Sequence, residues 1–127
     1  MSSANTTDPE SVVRRFNDCI NNRDIDGLSD LMTEDHTFID RDGKAVQSKR
    51  AMIDGWRQFF KQFPVYRNTF ERIESRGDSV TVLGFAFWSE QQPHDAVIWK
   101  AIIEGGRIRE WRIYVDTDAN RREFGFL

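Results

Sequence analysis

Residues His36-Thr37-Phe38-Ile39-Asp40 place a carboxylate at the end of a short, otherwise apolar strand. Side chains alternate along a strand, so His36, Phe38 and Asp40 share one face while Thr37 and Ile39 take the other. If the shared face looks into a cavity, Asp40 is an acid in apolar surroundings, a setting that suits a carboxyl group to proton shuttling. If it looks outward, Asp40 only caps the turn Arg41-Asp42-Gly43. His36 lies about 13 Å from Asp40 on a regular strand rising ~3.3 Å per residue, too far for a direct hydrogen bond. It reads either as an assisting group in the same pocket or as a satisfied structural histidine.

Other reactive types offer less. The single cysteine, Cys19, lies between Phe16 and Ile20 in a helical pattern, the setting of a small buried thiol. One cysteine forms no internal disulfide and requires no oxidising compartment. The two histidines, His36 and His94, have no metal-ligand spacing, and His94-Asp95 reads as a solvent-facing turn after Pro93. Glycine-rich phosphate loops and Ser-His-Asp signatures are absent. No metal or cofactor is expected.

The elements that position Asp40 are legible. Asp8 suits an N-cap, Pro9 the first helical position and Glu10 the first turn, and Val12, Val13, Phe16, Cys19 and Ile20 then recur on one helical face. A second short helix spans Ile25 to Met32. Ser48 caps a third, carrying Met52, Ile53, Trp56, Phe59, Phe60 and Phe63 until Pro64 stops it. The period then changes to two: strands are expected at Phe70–Ser75, Ser79–Ser89, Asp95–Glu104 and Arg107–Asp116. Turns fall at Arg76-Gly77-Asp78, Gln91-Gln92-Pro93 and Gly105-Gly106. Helices first and antiparallel strands after predict an α+β domain, three helices on one face of a curved sheet. The polar tail from Thr117 ends in Phe124-Gly125-Phe126-Leu127, which either docks or stays loose.

The 127 residues suffice for one domain, and 39% hydrophobic with 31% charged residues describes a globular chain. A net charge of -3 gives no electrostatic case for nucleic acid or an anionic membrane. Residues Met1 to Asp8 lack the apolar run of a signal peptide, and no stretch approaches the ~18 apolar residues of a membrane span. A cytoplasmic location is the default. Both faces of the late strands are apolar: Leu83, Phe85 and Phe87 alternate with Val80, Val82, Ala86 and Trp88, and Val97, Trp99, Ala101 and Ile103 with Ala96, Ile98 and Ile102. Helices cover one face only, so the other predicts a homodimer through the sheet.

The element order, together with Arg23-Asp24-Ile25-Asp26-Gly27-Leu28, the His36–Asp40 segment and Gly106-Arg107-Ile108-Arg109-Glu110-Trp111-Arg112-Ile113-Tyr114, resembles the SnoaL-like branch of the nuclear transport factor 2-like (NTF2-like) superfamily. The resemblance runs from about Pro9 to Asp116. It implies a cone-shaped α+β barrel whose mouth holds a small, mostly apolar molecule, and frequent dimers. The superfamily includes ketosteroid isomerases, polyketide cyclases, limonene epoxide hydrolase and scytalone dehydratase, besides members that only bind.

Carried over by residue, Asp40 matches the isomerases' base, which moves a proton between carbons beside a carbonyl. Their oxyanion hole does not carry over: Phe16 stands where they have a tyrosine, and Trp99 where they have a protonated aspartic acid. Losing one such donor typically costs a factor of ~10² to 10³ in rate, which argues against steroid isomerase activity. The epoxide hydrolase's Arg–Asp pair is missing from Phe85-Ala86-Phe87-Trp88-Ser89, and Ile113 stands where its last-strand Asp would be.

The expected pocket face holds Asp40 with Phe16, Phe38, Trp56, Leu83, Phe85, Phe87, Trp99, Trp111, Ile113 and Val115. Two functions follow from it. One is a cofactor-independent isomerase, cyclase or lyase using Asp40 as general base on a hydrophobic carbonyl compound, with Trp99 or His36 assisting. The other is a non-catalytic ligand-binding or dimerisation module.

Overall fold

A computed structural model describes residues 8–89 and 95–127. The expected turn Gln91-Gln92-Pro93 and His94 lie outside them. Asp8 caps α1 (Pro9–Asn21), its carboxylate accepting from the Ser11 N–H, and Asp24 caps α2 (Ile25–Asp30) in the same way through Gly27. Ser48 caps α3 (Lys49–Gln62). Such side-chain acceptors satisfy N–H groups that a helix cannot bond internally.

The strands are β1 (Met32–Ile39), β2 (Ala45–Gln47), β3 (Arg67–Arg76), β4 (Ser79–Phe87), β5 (Asp95–Glu104) and β6 (Arg107–Val115). They form one sheet in the order β2-β1-β6-β5-β4-β3, antiparallel except where β1 runs parallel to β6. The short β2 hairpin edge, absent from the periodicity, follows the turn after Asp40 and pairs Val46 with Phe38. The two edge strands, β2 and β3, are not bonded to each other, so the curved sheet is unclosed.

α1 lies in the hollow of the sheet. Val12, Val13, Phe16 and Ile20 are fully buried there, in one core with Trp99, Ile108 and Trp111. Removing each such large side chain from water stabilises the fold by about 1.5–3 kcal/mol. β3 carries a bulge between Phe70 and Arg72, opposite Gly84. A Cβ at position 84 would sit 2.1 Å from the Thr69 carbonyl oxygen and 3.1 Å from the Trp99 ring, so only glycine lets these strands close over that indole.

The register corrects one expectation. Val82 pairs with Trp99 and Leu83 with Ile98. Directly paired residues share a face, so the inward set of β4 is Val80, Val82, Gly84 and Ala86, and Leu83, Phe85 and Phe87 face outward. Both faces are apolar, so alternation alone left the phase of this strand open, and a one-residue choice flips every side chain.

The tail is also ordered. Thr117 caps α4 (Asp118–Glu123), a fourth helix beyond the three expected, and the Asp116 carboxylate takes two bonds from Arg121 at 2.5 and 2.8 Å. Phe124 and Phe126 are buried on the outer sheet face with Leu83, Ile98 and Tyr114. Arg72 fastens the end by donating to the carbonyls of Gly125 and Phe126. Part of the face expected to pair with a second copy is thus covered by the chain itself. No helix among the described residues is long and apolar enough to cross a membrane.

Candidate functional site

The open end of the sheet and α3 enclose a cavity of about 610 Å³, within the range of small-molecule sites. Its wall is largely aromatic and aliphatic: Phe38 from β1, Met52, Trp56 and Phe59 from α3, Ala86 and Trp88 from β4 and beyond, Val97 and Trp99 from β5, Trp111 and Ile113 from β6. The rings hold one another. Trp99 stacks on Trp111 with centroids 6.4 Å apart, and Trp88 meets Phe59, Phe63 and Tyr66 edge-on at 5.7, 5.0 and 4.9 Å. Aromatic contacts of this kind favour a defined wall over a collapsed one.

Asp40 stands at the mouth, just past the end of β1, with Arg41 beside it. Its Oδ1 accepts from the backbone N–H groups of Asp42 and Lys44, both at 2.9 Å. The two readings of this residue therefore meet in one side chain, which braces the turn with one oxygen and lines the cavity. Asp95, expected to face solvent, is exposed, and at the mouth it accepts from the Trp88 indole N–H at 3.1 Å.

Deeper in, Tyr66 and Asn68 supply polar atoms that the sequence reading missed. Pro64 ended the helix pattern and the strand was expected only from Phe70, so both fell in an apparent loop. The signal was present: Tyr66, Asn68 and Phe70 continue the alternation of β3 backward by two pairs. Asn68 is clamped from α1: its N–H donates to Asn21 Oδ1 at 2.8 Å, and its carbonyl accepts from Asn21 at 2.9 Å and Asn17 at 3.3 Å. Burial pushes the Tyr66 hydroxyl far above the ordinary tyrosine range, with a hydrogen bond from the Asn68 side chain and the Arg41 charge working the other way and Asp95 adding to the rise. The phenol therefore stays protonated at any physiological pH.

Of the residues expected in the pocket, Phe38, Asp40, Trp56, Trp99, Trp111 and Ile113 line it. Phe16 lies behind the wall, fully buried, its ring 5.0 Å from Trp111 and 6.4 Å from Trp56. Leu83, Phe85 and Phe87 belong to the other face for the register reason given above. Leu83 packs under the tail, and Phe87 lies under the Arg67 guanidinium at 4.1 Å. Val115 ends β6 at 49% exposure, outside the wall. His36 is completely buried and also outside the wall. Its Nδ1 bonds the Ile108 carbonyl at 2.7 Å, and the loss of solvation holds its pKa below 6.5 despite that bond and the Asp35 charge. Among the described residues no group of three or more His, Cys, Asp or Glu converges as a metal site.

An unclosed α+β cone with a greasy hollow at its open end defines the class of NTF2-like pocket proteins. Within it, the chain belongs to the SnoaL-like domain family, whose model matches residues 13–111. No curated protein matches it. Among solved structures it is similar to an LEH-like epoxide hydrolase of M. tuberculosis, at TM-score 0.77 and 19% identity over 89% of this chain and 86% of that one. It is likewise similar to a protein classed as a SnoaL-like polyketide cyclase from Jannaschia, at TM-score 0.74 and 20% identity over 98% and 96%. An NTF2-like protein of unknown function from Cytophaga hutchinsonii matches at TM-score 0.73 and 15% identity over 97% of both chains. At these identities the likeness is one of fold.

Proposed function

We propose that the chain binds a small hydrophobic carbonyl compound in this cavity and moves a proton on it with Asp40, as an isomerase, cyclase or lyase that uses no cofactor. The observation that carries the reading is the placement of Asp40. It is a carboxylate at the mouth of an apolar hollow, with one oxygen held by two backbone N–H groups and the other outside both bonds. A base held in this way needs little reorganisation when a substrate arrives. Asp40 takes the proton from the carbon beside the carbonyl, the electron pair moves onto the carbonyl oxygen, and the proton returns to another carbon. Trp99 serves as wall. His36 supports β1 from behind the wall.

A non-catalytic pocket is the second reading, and it too has a specific support: bracing the Asp42–Lys44 turn is by itself a sufficient reason for an aspartate at position 40. Deuterium exchange separates the two. Hydrophobic ketones such as 1-tetralone, incubated in heavy water, should gain deuterium at the carbon beside the carbonyl faster with the protein than with buffer. Asp40→Asn should abolish the gain while the ketone still binds. Binding without any gain would leave the non-catalytic reading.

Assembly belongs to the same proposal. The outer face that the tail leaves open, with Phe85, Ala96 and Ile102 half-buried, is offered as a homodimer surface. Light scattering at micromolar concentration that found only the monomer mass would remove it.

A further inference from the structure

We propose that Trp56 and Asn68 form a recognition pair selecting apolar ring compounds that carry both an acceptor oxygen and a hydroxyl group. This deepens the function proposed above and rests on it. Both residues line the cavity. Both have a buried polar atom without a hydrogen-bond partner, Trp56 Nε1 and Asn68 Oδ1. Unpaired buried groups are uncommon in native proteins, because each forfeits its hydration for nothing in return. The other such atoms, on Asn17, His36 and Arg112, belong to residues outside the cavity wall.

The two buried atoms have opposite polarity. An indole N–H can only donate and an amide oxygen can only accept. Of the Asn68 amide, the oxygen is the atom left buried without a partner. Both residues are held by their neighbours. Asn68 is clamped through its backbone by Asn21 and Asn17. Trp56 is stacked on Phe60 at 5.5 Å and met edge-on by Phe59 and Phe16 at 5.7 and 6.4 Å. The complement of one fixed donor and one fixed acceptor in an aromatic box is a hydroxylated ketone built on a flat or alicyclic ring. Its carbonyl oxygen accepts from Trp56, where negative charge would gather during proton abstraction, and its hydroxyl donates to Asn68.

Three probes of one size test the pair: tetralin, 1-tetralone and 6-hydroxy-1-tetralone, titrated against the full chain and followed by its backbone and indole NMR signals. Adding the ketone and then the hydroxyl should each tighten binding about fivefold or more, the factor that one well-made buried hydrogen bond supplies. The Trp56 indole proton should move with 1-tetralone and not with tetralin. Trp56→Phe should erase the ketone step and keep the hydroxyl step, and Asn68→Leu should do the reverse. That crossed pattern could not come from a pocket that had merely collapsed. Equal affinities for all three probes on the unaltered protein would overturn the pair and leave the pocket. Failure of all three to bind would overturn both.

Discussion

Asn21 grips Asn68 from both sides, its amide donating to the Asn68 carbonyl at 2.9 Å and its oxygen accepting from the Asn68 N–H at 2.8 Å. One side chain thereby imitates a strand neighbour for the start of β3, which has no strand on that side. The last residue of α1 thus sets the position of a residue lining the pocket.

Asn21→Ala should therefore cost about 2 kcal/mol, two hydrogen bonds at roughly 1 kcal/mol each. Urea denaturation will show the lower midpoint. Hydrogen exchange at the Asn68 amide should rise more than exchange at β5 amides.

His36 gives the fold a pH dependence of known sign. Burial lowers its pKa from 6.5 in the folded chain, so between the lowered value and 6.5 the unfolded chain binds more protons. Stability is fully present above about pH 6.5 and is lost as pH falls below it, at up to ~1.4 kcal/mol per pH unit. His36→Asn keeps a donor near the Ile108 carbonyl but cannot titrate. The difference between its denaturation midpoints and those of the parent should shrink as pH drops from 7.5 to 5.

The tail should contribute to stability and keep the part of the outer face beneath it from associating. Phe126→Ala opens a hole beside Leu83 and Ile98 and should cost about 3 kcal/mol. A chain ending at Asp116 exposes Leu83, Ile98 and Tyr114 together. It should show a larger mass by light scattering than the full chain at equal concentration.

Much of this protein was readable residue by residue. Asp8 and Ser48 cap their helices because a short acceptor before an apolar-periodic run has one good local use. The period-two runs of β5 and β6 and the Gly105-Gly106 turn are equally local, and they fall where the pattern puts them. Phe38, Asp40, Trp56, Trp99, Trp111 and Ile113 were placed at the cavity by strand parity, helical spacing and family likeness.

Pairing decided the rest. Which face of β4 turns inward depends on Val82 lying opposite Trp99, a partner chosen across a hairpin between two strands that are apolar on both sides. Tyr66 and Asn68 entered the site because α1 reaches across to bond a strand start that local pattern read as loop. Phe124 and Phe126 bury themselves because the outer face of that same sheet was apolar and within reach. Local propensity and alternation act over a few residues, whereas register and docking are settled by surfaces that meet only once the chain has folded.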